Sequence, residues 1–446
     1  MSATAFIPAQ APDAVVAWRH GAAIRQQQFL ADISRLAARL LARPYVLNHC
    51  DDRYHFLVGL AAALMRGQLS LFPSNRAQQV LEQLTRDYPG VYCLTDRTDE
   101  AAPMDVELLR LDDASAAAQP TIPAMPAFPP EQTVAIAFTS GSTGTPKPHR
   151  KTWGGLVHEA RVAGRALGLR AGQGGALVAT VPPQHMYGFI ASIMLPTQFG
   201  CALDAARPFY PDDIRAALTA HSPPAILVTT PVHIRACVQD ATRLPATAFI
   251  LSSTAPLEVA LAAEAEHMFN TRVLEFYGST ETGAIAARRP VDSQTWRTFD
   301  DITVRMGERG FTVEAPYFPE PMVLSDSVEV INSREFILFG RDADLIKIAG
   351  KRASLADLNA RLLAIQGVRD GVFFLPDHPA AGEPRLTAFV VAPGKSETEI
   401  AQALRASIDP VFLPRPLRLV ASLPRNATGK LPRAQLMRLL EAEVSE

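Results

Sequence analysis

The stretch Phe138-Thr-Ser-Gly-Ser-Thr-Gly-Thr-Pro-Lys147 directly follows an apolar run, residues 134–138, that has the pattern of a buried strand. Five hydroxyl side chains and two glycines lie between this run and the lysine. Glycine lets a ligand approach the backbone closely, and backbone N–H groups in such a loop can form an anion-binding concavity. The spacing differs from the Walker pattern GxxxxGK[ST]. We therefore predict a polyphosphate-binding loop of another type, formed by Thr139, Ser140, Gly141, Ser142, Thr143, Gly144 and Lys147.

Short apolar runs alternate with helical patterns around this loop. Between residues 131 and 290, apolar runs occur at 134–138, 176–181, 225–229, 248–251 and 273–276, and helical periodicity occurs at 153–167, 212–221, 232–239 and 257–269. This alternation is typical of an α/β fold in which a mostly parallel sheet is covered by helices. Ligand sites in such folds lie at the carboxyl ends of the strands.

Two further sections follow this region, and one precedes it. The first hundred residues add helices at 26–41 and 77–87 and strands at 45–48 and 91–94. Residues 300–340 change to short strands with turns, which predicts a small antiparallel section. The chain beyond residue 344 is long enough for a small α+β domain of its own. Its predicted helices are 355–363, 397–408 and one from 433 onward, and its predicted strands are 371–375, 387–391 and 417–420.

Composition excludes several classes of protein. A formal net charge of −2 argues against a protein that binds nucleic acid through electrostatic attraction. The N-terminus lacks the basic start and apolar core of a signal peptide, and no apolar run reaches the ~18 residues of a membrane span. The four cysteines are scattered without CxxC spacing, which favours reduced thiols. We therefore expect a cytoplasmic protein with neither a membrane span nor a nucleic-acid partner.

Lysine is rare in this chain. Only six of the 43 basic residues are lysines, and the chain uses arginine for its general surface charge. A lysine is a compact point charge, whereas the arginine head group is a planar fork. The six are Lys147, Lys151, Lys347, Lys351, Lys395 and Lys430. Five of them lie in or beside the motifs described here, which suggests that lysine is kept where a point charge is needed.

The segment 138–147 resembles the signature of the acyl-activating superfamily, which contains acyl-CoA synthetases, nonribosomal peptide adenylation domains and luciferases. Four more segments are similar to motifs of that superfamily and occur in the expected order. They are Pro182-Pro-Gln-His-Met-Tyr-Gly188, Tyr277-Gly-Ser-Thr-Glu-Thr-Gly283, Gly340-Arg-Asp-Ala-Asp-Leu-Ile-Lys-Ile-Ala-Gly350 and Pro424-Arg-Asn-Ala-Thr-Gly-Lys430. Together the motifs extend from Thr139 to Lys430.

The resemblance implies an enzyme that uses ATP and Mg²⁺ to convert a carboxylic acid into its acyl-AMP, with release of pyrophosphate. The acyl group would then pass to a thiol, either that of CoA or that of the phosphopantetheine on an acyl-carrier protein. The resemblance also implies an N-terminal domain that binds ATP and the acid, residues 1–340, and a hinge at 341–344. A mobile C-terminal domain, residues 345–446, would carry the catalytic lysine and rotate between the two half-reactions.

The resemblance assigns catalytic roles to four residues. Lys430 would bridge the carboxylate and α-phosphate oxygens as charge develops between them. Thr280 would contact the α-phosphate, and Glu281 would ligate Mg²⁺, a hard cation that prefers oxygen ligands. His185 would gate the pocket for the acyl group.

The resemblance also assigns the nucleoside contacts. Tyr277 would lie against the adenine, and Thr254, within Ser252-Ser-Thr-Ala-Pro256, would lie on the adenine side. Asp326 would accept the ribose hydroxyls, with Arg341 as a second ribose contact. The residues 139–147 would hold the β- and γ-phosphates.

Several residues depart from the superfamily pattern. Pro148 and Ala343 stand where Gly and an Asp or Lys are usual, and Ser252-Ser-Thr-Ala-Pro256 replaces Ser-Gly-Gly-Ala-Pro. The N-terminal region is shorter than in typical acyl-CoA synthetases, which leaves CoA and a carrier protein open as acceptors. Short stand-alone ligases of this kind include those that load aryl acids for aryl-polyene synthesis.

Two alternatives remain open at the level of sequence. An amino-acid adenylation enzyme needs an acidic residue for the substrate amine, and residues 225–233 contain none. A nucleotide-binding pseudoenzyme that acts as a partner protein should lack Glu281 or Lys430, yet both are present. The motifs do not identify the acid or the oligomeric state.

Overall fold

The fold was analysed in a computed structural model. It describes residues 2–8, 10–73, 78–97, 107–111, 124–139, 147–172, 174–221, 224–341, 345–348, 351–376, 385–426 and 429–444. The predicted loop residues Ser140, Gly141, Ser142, Thr143 and Gly144 lie outside these ranges, as does most of the predicted hinge, residues 342–344. The predictions for these residues therefore stay predictions.

The described strands alternate with helices over most of the chain. In chain order the strands are β1 (Thr4–Ala5), β2 (Val15–Arg19), β3 (Ala22–Arg25), β4 (Tyr45–Asn48), β5 (Leu69–Phe72), β6 (Tyr92–Thr95), β7 (Leu108–Arg110), β8 (Ala127–Phe128), β9 (Thr133–Thr139), β10 (Lys147–Thr152), β11 (Ala176–Ala179), β12 (Ala202–Asp204), β13 (Ala225–Thr229), β14 (Thr247–Ser252), β15 (Val273–Ser279), β16 (Gly283–Arg288), β17 (Thr295–Thr298), β18 (Thr303–Gly307), β19 (Gly310–Glu314), β20 (Met322–Leu324), β21 (Asp326–Asn332), β22 (Glu335–Arg341), β23 (Leu345–Ile348), β24 (Lys351–Ser354), β25 (Asp370–Phe374), β26 (Thr387–Val391) and β27 (Leu417–Leu419).

The described α-helices match most of the helical patterns in the sequence. They are α1 (Gln26–Arg39), α2 (Arg53–Met65), α3 (Gln78–Asp87), α4 (Trp153–Ala166), α5 (Met186–Phe189), α6 (Leu195–Phe199), α7 (Pro211–Thr219), α8 (Pro231–Gln239), α9 (Val259–Phe269), α10 (Leu355–Leu363), α11 (Glu397–Ser407) and α12 (Arg433–Val444). A π-helical segment, Ile190–Met194, joins α5 to α6, and a short 3₁₀ helix spans Pro410–Phe412.

One mixed sheet forms the centre of the molecule, in the strand order β21-β22-β17-β16-β15-β14-β13-β11-β12-β2-β3. The six strands from β15 to β2 run parallel to their neighbours, and the strands on either side of them are antiparallel. Every residue of β13 is buried, as expected for a strand covered on both faces. The predicted α/β fold with mostly parallel strands is therefore confirmed, and so is an antiparallel section after residue 300, formed by β18–β20 and by the β21–β22 pair.

A second sheet has the order β10-β9-β5-β4-β6-β7. Strand β9 runs parallel to β5, whereas β10 returns antiparallel to β9 and forms the edge of the sheet. Pro148 lies on this edge strand, opposite Phe138. An edge is where a sheet tolerates proline, because the missing N–H is not needed for a further neighbour.

The space between the two sheets is filled largely by helix α2, whose residues are buried almost throughout. It packs in one core with β4 and β9 and with the helical rod 186–199. Among the residues that the structure describes, no helix combines the length and apolar character that a membrane crossing requires. All four cysteines are buried free thiols.

The structure differs from the sequence analysis in two details. The first is the helical rod 186–199, which consists of α5, the π-helical segment and α6. No helix is predicted there, because Gly188 and Pro196 are typical helix breakers. Pro196 occupies the first turn of α6, where its missing N–H is not required, and the π-helical segment absorbs the change of register. The strand predicted at 176–181 ends earlier, at Ala179, and the two prolines that follow at 182 and 183 lack the N–H groups that would extend the ladder.

The C-terminal part has hydrophobic cores of its own. Strands β25–β27 pack with α10 and α11 around residues such as Leu362, Phe373 and Leu404. A smaller cluster joins α12 to this sheet. The α+β elements predicted beyond residue 344 are thus present. The Gln239 side chain of α8 meets the carbonyl oxygens of Val368 and Arg369 at 3.4 Å, so this part also contacts the large sheet region.

Candidate functional site

The β15–β16 hairpin carries Thr280 and Glu281 at its tip. Ser279 and Gly283 are register partners, which leaves only three residues for the turn. The Thr282 hydroxyl lies 3.1 Å from both the backbone nitrogen and the hydroxyl of Ser279, and this pair closes the turn. A Cβ on Gly278 would lie only 2.0 Å from the carbonyl oxygen of Gly283, so the close approach of the two strands requires glycine there. Glu281 is partly exposed.

The phosphate-loop segment is the connection of another hairpin, β9–β10. Thr139 and Lys147, which flank the predicted loop residues, are register partners at one end of this strand pair. Side chains alternate along a strand, and Lys147, His149 and Lys151 therefore share one face of β10. The imidazole of His149 lies 3.2 Å from the hydroxyl of Thr139.

Part-buried polar contacts hold the β15–β16 turn against β10 and α4. Lys151 donates from Nζ to the carbonyl oxygen of Glu281 at 2.6 Å. On the other side of the turn, Glu159 of α4 accepts a 2.6 Å hydrogen bond from the backbone nitrogen of Ala284. Burial lowers the pKa of Lys151, and the negative charges of Glu159 and Glu281 oppose that shift. The phosphate-loop hairpin and the Glu281 turn thus lie side by side.

His185 begins the helical rod 186–199 at the carboxyl end of β11. Its Nδ1 accepts a hydrogen bond from the backbone nitrogen of Tyr187 at 3.3 Å, which leaves Nε2 as the protonated nitrogen of the neutral ring. Burial, and secondarily the positive charge of Lys430, lower the pKa of His185 to about 3. The imidazole is therefore neutral at physiological pH and is available as a hydrogen-bond donor from Nε2.

Tyr187 ties the same segment to the sheet. Its hydroxyl lies 2.7 Å from the carbonyl oxygen of Leu251 and 3.1 Å from that of Thr229. These carbonyls are at the carboxyl ends of the neighbouring parallel strands β14 and β13. Burial raises the pKa of this phenol far above its usual value, so it remains a donor. The rod is thereby held against the edge at which ligands bind in parallel sheets.

The loop that carries Lys430 is closed by its own hydrogen bonds. The backbone nitrogen of Asn426 donates to the carbonyl oxygen of Lys430 at 2.8 Å, and the Asn426 side chain accepts from the Lys430 nitrogen at 2.9 Å. Arg425 donates to the carbonyl oxygen of Gly429 and makes a bidentate pair with Asp370 at 2.6 and 2.7 Å. These bonds hold the backbone of Gly429 and Lys430 against residues 425 and 426.

This loop sits on the large sheet region. A Cβ on Gly429 would lie 3.1 Å from Val232 and 3.5 Å from the Thr230 hydroxyl, so the backbone of the loop packs on the β13–α8 connection. The next residue is Lys430, whose charge acts on His185. The structure therefore brings together two predicted residues that are far apart in the sequence, at the carboxyl ends of β11 and β13.

The predicted nucleoside contacts Asp326, Arg341 and Tyr277 lie on three strands of the central sheet, β21, β22 and β15. Asp326 and Arg341 are register partners at the open end of the β21–β22 pair, and their shared ribose role stays a prediction. Tyr277 lies at the end of β15 and is only 9% exposed, because its ring packs on Trp296 and Phe336 at centroid distances of 5.5 and 5.4 Å. Contact between Tyr277 and adenine remains a prediction, and only the small exposed part of the ring is available for it.

Similarity in sequence to known proteins identifies the family of this chain. A family model described as AMP-binding enzyme matches residues 8–306. The chain belongs to the AMP-binding enzyme family. It is an AMP-forming acid–thiol ligase of the acyl-activating superfamily. A 4-coumarate–CoA ligase from Rhodobacter capsulatus is 30% identical over 307 residues, which cover 67% of this chain and 75% of that protein.

Solved structures of AMP-binding enzymes share the fold. ATP-bound MatB from Rhodopseudomonas palustris matches with a TM-score of 0.80 and 18% identity over 98% of each chain. The o-succinylbenzoate CoA synthetase MenE from Bacillus subtilis, in complex with its acyl-adenylate intermediate, also gives a TM-score of 0.80 with 18% identity, over 96% of each chain. Similarity at this level of identity establishes the architecture of the AMP-binding enzyme fold for this chain.

Thr254 is a strained position in this AMP-binding enzyme. Its φ of +81° lies in the left-handed region, where a β-branched residue is an outlier. The superfamily pattern has Gly at this position, and glycine adopts such a φ freely. Thr254 therefore stands in a strained backbone conformation that glycine would adopt freely.

We expect Thr254→Gly to stabilise the protein. Strain of this type costs about 1–3 kcal/mol, whereas the added flexibility of glycine in the unfolded chain costs about 0.4–1 kcal/mol, so the net gain should be about 1 kcal/mol. Urea denaturation would measure the free energy of unfolding. Asn270→Gly is the matched control, because Asn270 has a φ of +48° but asparagine tolerates this region; its effect should be close to zero. A loss of stability in Thr254→Gly would show that the threonine side chain outweighs the strain.

Sequence reasoning missed four residues of this AMP-binding enzyme site. His149, Lys151 and Glu159 surround the Glu281 turn, and Arg425 supports the Lys430 loop. The alternating pattern Lys147-Pro-His-Arg-Lys151 would have placed three basic side chains on one face of a strand, had the segment been assigned as one. Nothing in the sequence marks Glu159, which lies on an ordinary helix.

Proposed function

We propose that this protein activates an aryl or other apolar carboxylic acid as its acyl-AMP and then transfers the acyl group to a thiol. The observation that carries the proposal is the position of the Lys430 loop. It packs on the β13–α8 connection, and its lysine charge acts on His185. This is the arrangement that the adenylation step needs, with a point charge held at the ligand-binding edge of the parallel sheet.

In the first half-reaction a carboxylate oxygen of the acid attacks the α-phosphorus of ATP, and the bond between that phosphorus and the pyrophosphate oxygen breaks. The phosphate loop 139–147, with Lys147, binds the β- and γ-phosphates that leave as pyrophosphate. Thr280 hydrogen bonds to the α-phosphate, and Lys430 bridges the oxygens of the two reacting groups. Fixed groups of this kind stabilise the developing charge without reorganising during the reaction.

The groups around Glu281 suit Mg²⁺. The Glu281 carboxylate is partly exposed at the tip of a tight turn, next to the hydroxyl side chain of Thr280, and Mg²⁺ prefers hard oxygen ligands. When bound, the ion neutralises charge on the phosphate oxygens. Glu281 would hold it. The solved MenE structure with ATP and a magnesium ion is a relative that binds the same pair.

In the second half-reaction a thiolate attacks the acyl carbonyl carbon, and the bond to the AMP oxygen breaks. We propose that residues 345–446 rotate about a hinge at 341–344 relative to residues 1–340, which removes Lys430 and presents the segment 347–351. Lys351 in that segment is exposed and pairs with Asp409 at 2.6 Å. Large rotations of this type need only a few residues to change their backbone dihedrals.

Two observations support an apolar or aryl acid. The first is that residues 225–233 provide no carboxylate for a substrate amine. Three matched relatives from bacteria are named 4-coumarate–CoA ligases, and 4-coumarate is an aryl acid. Both points favour an aryl acid over an amino acid.

The test is pyrophosphate release with ATP, Mg²⁺ and a panel of aryl, fatty and amino acids, each with CoA, with a phosphopantetheinylated carrier protein, or with neither. We expect release that depends on an aryl or apolar acid and accelerates with one of the two thiols, which would identify the acceptor. Release with amino acids alone would contradict the proposed acid class. Binding of ATP without release for any acid would indicate a nucleotide-binding partner protein instead of an enzyme.

A further inference from the structure

The turn that carries Thr280 and Glu281 is held from both sides by a half-buried lysine, Lys151, and a buried glutamate, Glu159. Lys151 binds the carbonyl oxygen of Glu281, and Glu159 binds the backbone nitrogen of Ala284 three residues later, each at 2.6 Å. Lys151 stands four residues beyond the end of the phosphate loop, on β10, and Glu159 stands on the helix that follows. The two contacts therefore connect one ATP-binding loop to the other.

The fit between Glu159 and the turn is tight. A Cβ on Gly283 would lie 2.3 Å and 2.4 Å from the two carboxylate oxygens of Glu159, so the carboxylate rests directly on the glycine backbone. Gly283 also has a φ of +74°, which only glycine adopts without strain. Glu159 is 2% exposed. Its position leaves the Gly283–Ala284 backbone little freedom to shift.

The charges that face this pair come from several elements. Glu281 approaches Lys151 from the turn, His149 lies two residues before it on the same face of β10, and the buried phenol of Tyr317 lies near Glu159. Stability alone gives a weak reason to bury such a pair, because apolar replacements of buried ion pairs are often neutral or stabilising. A role in positioning the Thr280–Glu281 turn is a stronger reason for these two charged groups to be there.

We infer that Lys151 and Glu159 are positioning residues that set the Thr280–Glu281 turn for the metal and the α-phosphate, and that they link this turn to the phosphate loop. The inference rests on the proposed adenylation function, in which Glu281 holds Mg²⁺. Neither side chain contacts the reacting atoms. Each acts through the backbone of the turn. We therefore expect the loss of these side chains to raise the Mg²⁺ concentration that the enzyme requires and to leave its KM for the acid unchanged.

The test compares Lys151→Met, Glu159→Gln and the double variant with wild type. Three quantities are measured: the Mg²⁺ concentration for half-maximal pyrophosphate release, the calorimetric affinity for ATP with and without Mg²⁺, and the thermal midpoint. Lys395→Met is the matched control, because Lys395 is a surface lysine paired with Glu399 at 3.7 Å. We expect this control to behave as wild type in all three measurements.

The double variant separates positioning from stability. Each single variant leaves the other charged group without the opposite charge that acts on it, so both should melt at a lower temperature than wild type, whereas the double variant should recover much of that loss. We expect the Mg²⁺ requirement of the double variant to stay raised by about tenfold or more, as for partners that orient metal ligands. Its KM for the acid should be unchanged, and Mg²⁺ should improve its ATP affinity less than in wild type.

Two outcomes would overturn these statements separately. A double variant with the wild-type Mg²⁺ requirement and the wild-type gain in ATP affinity would overturn the positioning role and leave the proposed function intact. A wild-type protein that binds ATP with Mg²⁺ but releases no pyrophosphate with any acid would overturn the proposed function. The calorimetric comparison would still decide whether Lys151 and Glu159 position the turn, since it needs no turnover.

Discussion

Lys430→Ala should reduce acid-dependent pyrophosphate release by about a hundred- to a thousand-fold, the usual effect of removing one fixed group that stabilises transition-state charge. The affinity for ATP should change little, because the phosphate loop and the Asp326–Arg341 pair provide most of the proposed nucleotide contacts. The loop itself should keep its shape, since Asn426 and Arg425 hold it through backbone atoms of residues 429 and 430. Pyrophosphate release and calorimetric ATP binding measure the two effects separately.

The control for this prediction is Lys395→Ala, which removes a lysine far from the motifs and should leave the rate unchanged. A further arm supplies the acyl-AMP directly with the thiol acceptor. If the C-terminal part rotates between the half-reactions as proposed, Lys430→Ala should still form the thioester at a rate close to that of wild type. Normal acyl-AMP formation by Lys430→Ala would contradict the catalytic role of Lys430.

Glu281→Gln should cause the second large loss, again about a hundredfold or more in the rate of pyrophosphate release at moderate Mg²⁺. The amide keeps the size of the side chain and one oxygen, but it lacks the charge that a hard cation prefers. Excess Mg²⁺ should restore part of the rate. The turn should remain folded, because the hydrogen bonds that close it come from Ser279 and Thr282 and from the backbone carbonyl of residue 281.

The measurement is a titration of Mg²⁺ at saturating ATP and acid. Glu264→Gln provides the matched control, because Glu264 is an exposed carboxylate on α9 and should not affect the titration. If Glu281→Gln had the same Mg²⁺ dependence as wild type, the metal would be held elsewhere. In that case the Lys151–Glu159 contacts would serve only the folding of the turn.

Local patterns predicted much of the fold. The strand at 225–229 and the helix at 355–363 coincide with β13 and α10, because continuous apolar runs and helical periodicity are set by residues close in sequence. The rod 186–199 was missed for the same reason. Gly188 and Pro196 are unfavourable by local rules, whereas in the structure the rod is buried between the two sheets, and tertiary packing outweighs propensity.

The candidate site could be predicted as a set of motifs but not as an arrangement. The hydroxyl- and glycine-rich loop, Glu281 and Lys430 are recognisable because each motif is contiguous. The contacts that join them are not: Lys151 and Glu281 are 130 positions apart, and Glu159 and Ala284 are 125 apart. Residue types alone say nothing about which pairs meet over such distances.

The sequence by itself determined that this chain forms an α/β fold, that it carries the loops of an AMP-binding enzyme, and which side chains can act on phosphate and carboxylate. Only the tertiary structure decided that the charge of Lys430 acts on His185 and that a half-buried lysine and a buried glutamate hold the Glu281 turn. The physical reason is that backbone periodicity and loop chemistry depend on neighbouring residues, whereas contacts between loops depend on strand order and on how the sheets and helices pack.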